Sequence, residues 1–175
     1  MSEEQPAATP APAGPQPLPS GRFEGREEFR QLIRDALATA AREGWRELIL
    51  SDASFEDWPL GERAVAEALQ SWSKSGRKCT LLAKRYDGVL RQHARFVKWR
   101  GTWSHIITAV ACPSADALEL PSAIWSPVWV MERRDIERSN GYCGGEAERR
   151  VALRESLSEW LLRSTPAFPA TTLGL

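Results

Sequence analysis

RELILSDASFEDWPLGERAVAEALQSWSKSGRKCTLLA, residues 46–83, carries the pattern on which the fold turns. Leu48, Ile49 and Leu50 are apolar at successive positions. A strand with one wet face alternates polar and apolar residues, whereas an unbroken apolar run is buried on both faces. The segment 46–51 therefore reads as an interior strand. Ser51-Asp52-Ala53-Ser54 leaves it as a polar loop, and Phe55, Trp58 and Pro59 follow as an aromatic knot. Val65, Ala68, Leu69 and Trp72 then recur at helical spacing, which predicts a helix over 62–74 closed by Gly76. Cys79, Leu81 and Leu82 supply a second interior strand at 78–83. Two doubly buried strands joined through a helix are the unit of a parallel sheet.

The pattern continues on both sides. Upstream, Phe29, Leu32, Ile33, Ala36, Leu37 and Ala40 make one apolar stripe, predicting a helix over 26–42 that Gly44 ends. Downstream, Val89, Leu90, Phe96 and Val97 predict a third helix over 86–98, and HIITAVA a third interior strand over 105–111. The remainder departs from alternation. Leu118 and Leu120 suggest a short strand stopped by Pro121, and 124–133 reads as one strand. Pro127 places that strand at an edge or on a bulge. A last helix over 146–163 packs through Ala147, Val151, Leu157, Trp160 and Leu161. The expected fold is a single α/β domain over 23–165, with a mostly parallel or mixed sheet flanked by helices and the final strands added antiparallel. No repeat at solenoid periods is visible.

The ends read differently. Residues 1–22 are rich in proline and alanine and offer little to bury, which predicts a disordered, polyproline-prone tail. Pro166 and Pro169 predict a loose end over 166–175, with Phe168 able to fold back onto the body.

Composition limits the function. The 175 residues suffice for one sizeable core, and 23 basic residues balance 23 acidic ones. Bulk charge thus gives no reason to seek nucleic acid or an anionic membrane. No apolar run is long enough to span a membrane, and no secretory leader is evident. Three widely spaced cysteines suit a reducing compartment, so a cytoplasmic location is expected, with no cofactor and no metal. Eight tryptophans point to packing or to an interface.

Charge is nevertheless segregated along the chain. From Lys74 to Arg100, nine cations (Lys74, Arg77, Lys78, Lys84, Arg85, Arg91, Arg95, Lys98 and Arg100) face Asp87 alone, while 43–67 has a net excess of five acids. A clustered basic surface attracts phosphate or a nucleic-acid backbone, although solvated helix faces would produce the same tally. Within this segment Arg85, Arg91, His93, Arg95, Lys98 and Arg100 are candidate ligand-binding residues, with Trp99 and Trp103 as stacking surfaces. Asp52, just past the carboxyl end of a strand, is placed to face a ligand crevice, where with Asp57 it would bind a cation or orient a base; equally, the two would cap a helix or order the loop by Asx turns. GYCGGE at 141–146 offers a weak anion cradle before a helix, and Cys143 a thiol near that helix start. Serine-nucleophile, phosphate-loop and zinc-protease motifs are absent.

The stretch 48–100 resembles a group of uncharacterised bacterial domains related to the phospholipase D fold. The resemblance is carried by a strand ending in Asp52, the Phe55-Trp58-Pro59-Leu60 turn, KCTLLAK, and His93-Ala94-Arg95-Phe96. It implies about one half of the phospholipase D layout, often without catalytic residues. Active relatives use H-x-K-x-x-x-x-D, with histidine attacking phosphorus and lysine steadying the phosphoryl oxygens. Here Arg95 replaces the lysine, Arg100 stands where the acid belongs, and no second copy accompanies His105. The resemblance thus implies a cationic, phosphate-attracting groove in a non-catalytic module. The alternatives are a phosphodiesterase-like hydrolase using His93 and Arg95, with a homodimer bringing two sites together, and a structural protein-interaction subunit.

Overall fold

The computed structural model describes residues 16–170. Three interior strands, β2 (Glu47–Ser51), β3 (Lys78–Ala83) and β4 (Ile107–Ala111), run parallel in the order of the chain. Helix α1 (Arg26–Glu43) precedes them, α2 (Arg63–Ser73) connects the first pair, and α3 (Asp87–Gln92) with α4 (Ala94–Thr102) connects the second. Antiparallel strands β5 (Ser122–Trp125), β6 (Val130–Asp135) and β7 (Asn140–Gly144) extend the sheet beyond β2. The short β1 (Gly21–Phe23) and β8 (Thr165–Pro166) close its ends, giving one mixed sheet ordered β1-β7-β6-β5-β2-β3-β4-β8. Helix α5 (Ala147–Leu162) follows β7.

Two cores sit on the two sheet faces. Leu48, Leu50, Leu81 and Met131 pack with residues of α1–α4, whereas Ile49, Leu82, Ala123 and Val130 pack with Leu153 and Leu157 of α5. This division is the physical content of the unbroken apolar runs: adjacent side chains in β2 and β3 enter opposite cores.

Several expectations are corrected. The helix expected over 86–98 breaks at His93, where φ −122° and ψ 60° leave helical space, and its second half continues to Thr102. The segment 124–133 is a hairpin, not one strand. Ser126 Oγ accepts from the amides of Val128 and Trp129 and donates to Trp129 O, so Pro127 sits in a turn. No strand forms around Leu118, which is 69% exposed beside a turn that Asp116 organises. GYCGGE is largely strand β7, whose Gly141 has Glu132 O where a side chain would go. The expected tail boundary at residue 22 falls inside β1, and Trp129 Nε1 donates to Pro19 O. Residues 1–15 and 171–175 lie outside the described residues. Of the C-terminal end, Thr165 and Pro166 pair with β4, and Phe168 is buried against Tyr86 and Phe96.

One charged network anchors the antiparallel half to the loop after β2. Period-two alternation in β6 turns Arg133 inward, where its side chain is 2% exposed. Its guanidinium donates to Asp52 at 3.0 Å, Asp57 at 3.1 Å, Ser139 Oγ at 3.2 Å and Ser122 Oγ at 3.1 Å. It also lies 4.1 Å from the Phe29 ring centroid. A buried cation is tolerable only with its partners in place. Replacing Arg133 by alanine is expected to cost about 3–5 kcal/mol by stranding the Asp52 carboxylate, read as a lowered urea midpoint. An unchanged midpoint would contradict this account.

Arg34 ties α1 to Glu62 through two 2.8 Å hydrogen bonds. These bonds hold the Glu62 carboxyl below its ordinary value of 4.5. A carboxyl depressed by folding stabilises above its unfolded pKa, and that contribution is lost as pH falls through the folded one. Arg34→Gln should therefore destabilise at neutral pH by under about 1 kcal/mol, because both groups are partly exposed. The deficit should shrink as the pH falls through the carboxylate range, as thermal melts at neutral and acid pH would report.

Candidate ligand groove

The loop leaving β2 resolves the two readings of Asp52. Its Oδ2 accepts from Ser54 N at 3.1 Å and Phe55 N at 2.8 Å, while Oδ1 accepts from Arg133. Asp57 is shared between Arg133 and the exposed Arg26, 3.5 Å away. Both carboxylates are thus engaged in ordering the loop, and Asp52, 4% exposed, faces no crevice. Among the described residues no group of histidine, cysteine and acidic side chains is arranged to hold a metal.

The candidate cations divide among four places. Arg91 is exposed and pairs with Glu56 at 3.7 Å. Arg85 lines a cavity of about 310 Å3 beside Tyr86 and Phe168. Arg100 turns inward, 8% exposed, and donates to Phe168 O and Ile107 O. Burial lowers its guanidinium pKa, opposed by the nearby Tyr86 and Cys79. His93, 6% exposed, places Nε2 2.9 Å from Phe55 O. Residues His93, Arg95 and Arg100 therefore point to three different partners and form no common cleft.

Arg95 and Lys98 do converge. With Arg63 and Lys74 they line a groove of about 410 Å3 between α2 and α4, where Glu67 is the one acid. None of these four cations has a carboxylate within salt-bridge distance among the described residues. Arg95 Nη1 donates to Gly61 O at 2.8 Å, which fixes one end of the groove. The two tryptophans are not free platforms. Trp99 is buried with Nε1 donating to Ser73 Oγ at 2.8 Å, and the half-buried Trp103 donates to Gln70 Oε1 at 2.7 Å.

Two participants escaped the sequence reading. Arg63 lies within the acidic stretch 43–67, and only helix packing brings it to Arg95. Arg133 was legible in principle, since alternation from the core residue Met131 places it on the same face.

The fold and groove together define a single-domain α/β protein with a mixed sheet and one cation-lined helical groove. No protein family and no curated protein matches the chain. Among solved structures it is similar to TrmBL2, described as an archaeal chromatin protein with a novel mode of DNA binding. That match has a TM-score of 0.63 at 12% identity, and it covers 87% of this chain and 55% of the other. The chain thus spans about half the length of that protein, and the likeness is one of fold. It does not bear on the phospholipase D resemblance. Among the described residues no helix is long and apolar enough to cross a membrane.

The cysteines take no part in the groove. Cys79, Cys112 and Cys143 are all free and buried. Desolvation pushes the Cys79 thiol upward and raises Cys143 to about 11. Since the thiolate is the reactive form, the native protein should not titrate with a thiol-specific disulfide reagent, and three equivalents should appear on unfolding. Rapid native reaction would show that one thiol is accessible.

Proposed function

We propose that this chain is a non-catalytic binding module that holds the phosphates of a nucleic acid along the groove between α2 and α4. The observation that carries the reading is the set Arg63, Lys74, Arg95 and Lys98, four cations on one groove with no carboxylate partner among the described residues. Cations left unneutralised by their own protein attract a polyanion and release its counterions on contact. The fold likeness to a protein described as DNA-binding agrees with this choice of partner. Burial of Trp99 argues for phosphate contact over base stacking, and so for tolerance of sequence. Hydrolysis is not favoured, because His93 is buried against a backbone carbonyl and apart from Arg100.

Anisotropy of labelled single-stranded DNA tests the proposal. Four phosphate contacts predict a slope of log K against log salt near −3, at about −0.7 per phosphate. Lys98→Ala and Lys74→Ala should each weaken binding across sequences and reduce the slope by roughly 0.7. Affinity indifferent to salt, or unchanged in both variants, would reject the groove.

A further inference from the structure

Helix α5 turns its charges in two directions. Its arginines are held against the body of the protein. Arg150 donates to the carbonyls of Pro127 and Gly145, and Arg154 donates to Glu47 at 2.8 Å while lying over the Trp125 ring. Arg149 stacks on Tyr142 within 3.7 Å of Glu146, and Arg163, just past the helix end, stacks on Trp160. Glu148, Glu155 and Glu159 face the other way. Helical spacing puts them on one side of α5 with Val151 and Leu162, opposite the core residue Leu157. All three glutamates are exposed, as are Val151 at 58% and Leu162 at 87%. None of the three carboxylates has a cation within salt-bridge distance among the described residues.

This stripe and the α2–α4 groove match in charge and in length. The groove's four cations and Glu67 leave an excess of three positive charges, and the stripe carries three carboxylates. Glu148 and Glu159 lie eleven residues apart, as do Arg63 and Lys74, and at about 1.5 Å per helical residue each span is roughly 16 Å. The groove belongs to helices packed on one face of the sheet, whereas α5 packs on the other. Stripe and groove of one molecule therefore face apart and cannot meet. We propose that the groove of one molecule receives the α5 stripe of a second copy, so that copies add head to tail through a heterologous contact. The inference rests on the groove reading and gives that site a regulator. An acidic helix and a polyanionic strand compete for one set of cations, and strand binding releases the neighbouring copy.

Sedimentation velocity of the full chain at low salt tests the contact. The average mass should rise with protein concentration and fall as salt screens the exposed pairs. A stripe variant, Glu155→Gln with Glu159→Gln, should weaken self-association roughly three- to tenfold, the scale of two exposed ion pairs. A groove variant, Lys74→Gln with Lys98→Gln, should do the same. Mixing the two variants should restore association, because one keeps the groove and the other the stripe. A control pair, Glu119→Gln with Glu137→Gln, removes the same charge elsewhere and should change nothing. Labelled single-stranded DNA should dissolve the assembly and bind the stripe variant at least as tightly as the unaltered chain. A monomer at every concentration would overturn the inference and leave the groove reading intact. The inference also fails if the control pair weakens association as much as the stripe pair, or if the mixture associates no better than either variant alone. Self-association lost in both variants of a protein that binds no strand would uphold the docking and reject nucleic acid as the groove's ligand.

Discussion

The Arg133 guanidinium is the interaction on which the geometry of the site depends. Burying it requires acceptors on three sides, and Asp52, Asp57, Ser122 and Ser139 provide them from four separate points of the chain. Asp52 is thereby fixed, and its second oxygen holds the amides of Ser54 and Phe55. Phe55 is driven to a φ of 58°, a left-handed conformation uncommon for an aromatic residue. That conformation accompanies a carbonyl aimed at His93. His93 in turn marks the break between α3 and α4, and α4 carries Arg95 and Lys98 to the groove. A contiguous set of hydrogen bonds thus runs from an antiparallel strand to a helix junction across the sheet.

Electrostatic sorting explains how a molecule with no net charge can present a basic surface. Three cations of α1 are neutralised where they stand: Arg26 pairs with Asp57, and Arg30 and Arg34 both reach Glu62. Arg133 is neutralised inside the protein, and Arg154 pairs with Glu47. The acids between Glu47 and Glu62 are consumed in these contacts. Neighbouring cations on α2 and α4 are left without them. Net charge speaks to solubility and long-range association, while partner choice depends on which charges remain unpaired.

Fold and function separate here as they do on other α/β scaffolds. Likeness to a much longer DNA-binding protein at 12% identity establishes a shared arrangement of sheet and helices. The argument for a ligand comes from the groove itself.

The sequence by itself determined the parallel core. Leu48-Ile49-Leu50 and Leu81-Leu82 turn apolar side chains to both faces of the sheet, so helices must cover both, and the stripes of α1 and α2 supply one layer. The segregation of charge into an acidic and a basic stretch was equally legible. Which cations share a surface was not. Helical rotation sends Arg95 and Lys98 outward and Arg100 inward within a single short helix, and the break at His93 sets that rotation. Strand order, the pairing of Arg133 with Asp52 across 81 residues, and the arrival of Arg63 beside Arg95 are long-range outcomes. They depend on packing that balances buried charge against its partners, and local spacing along the chain carries no record of that balance.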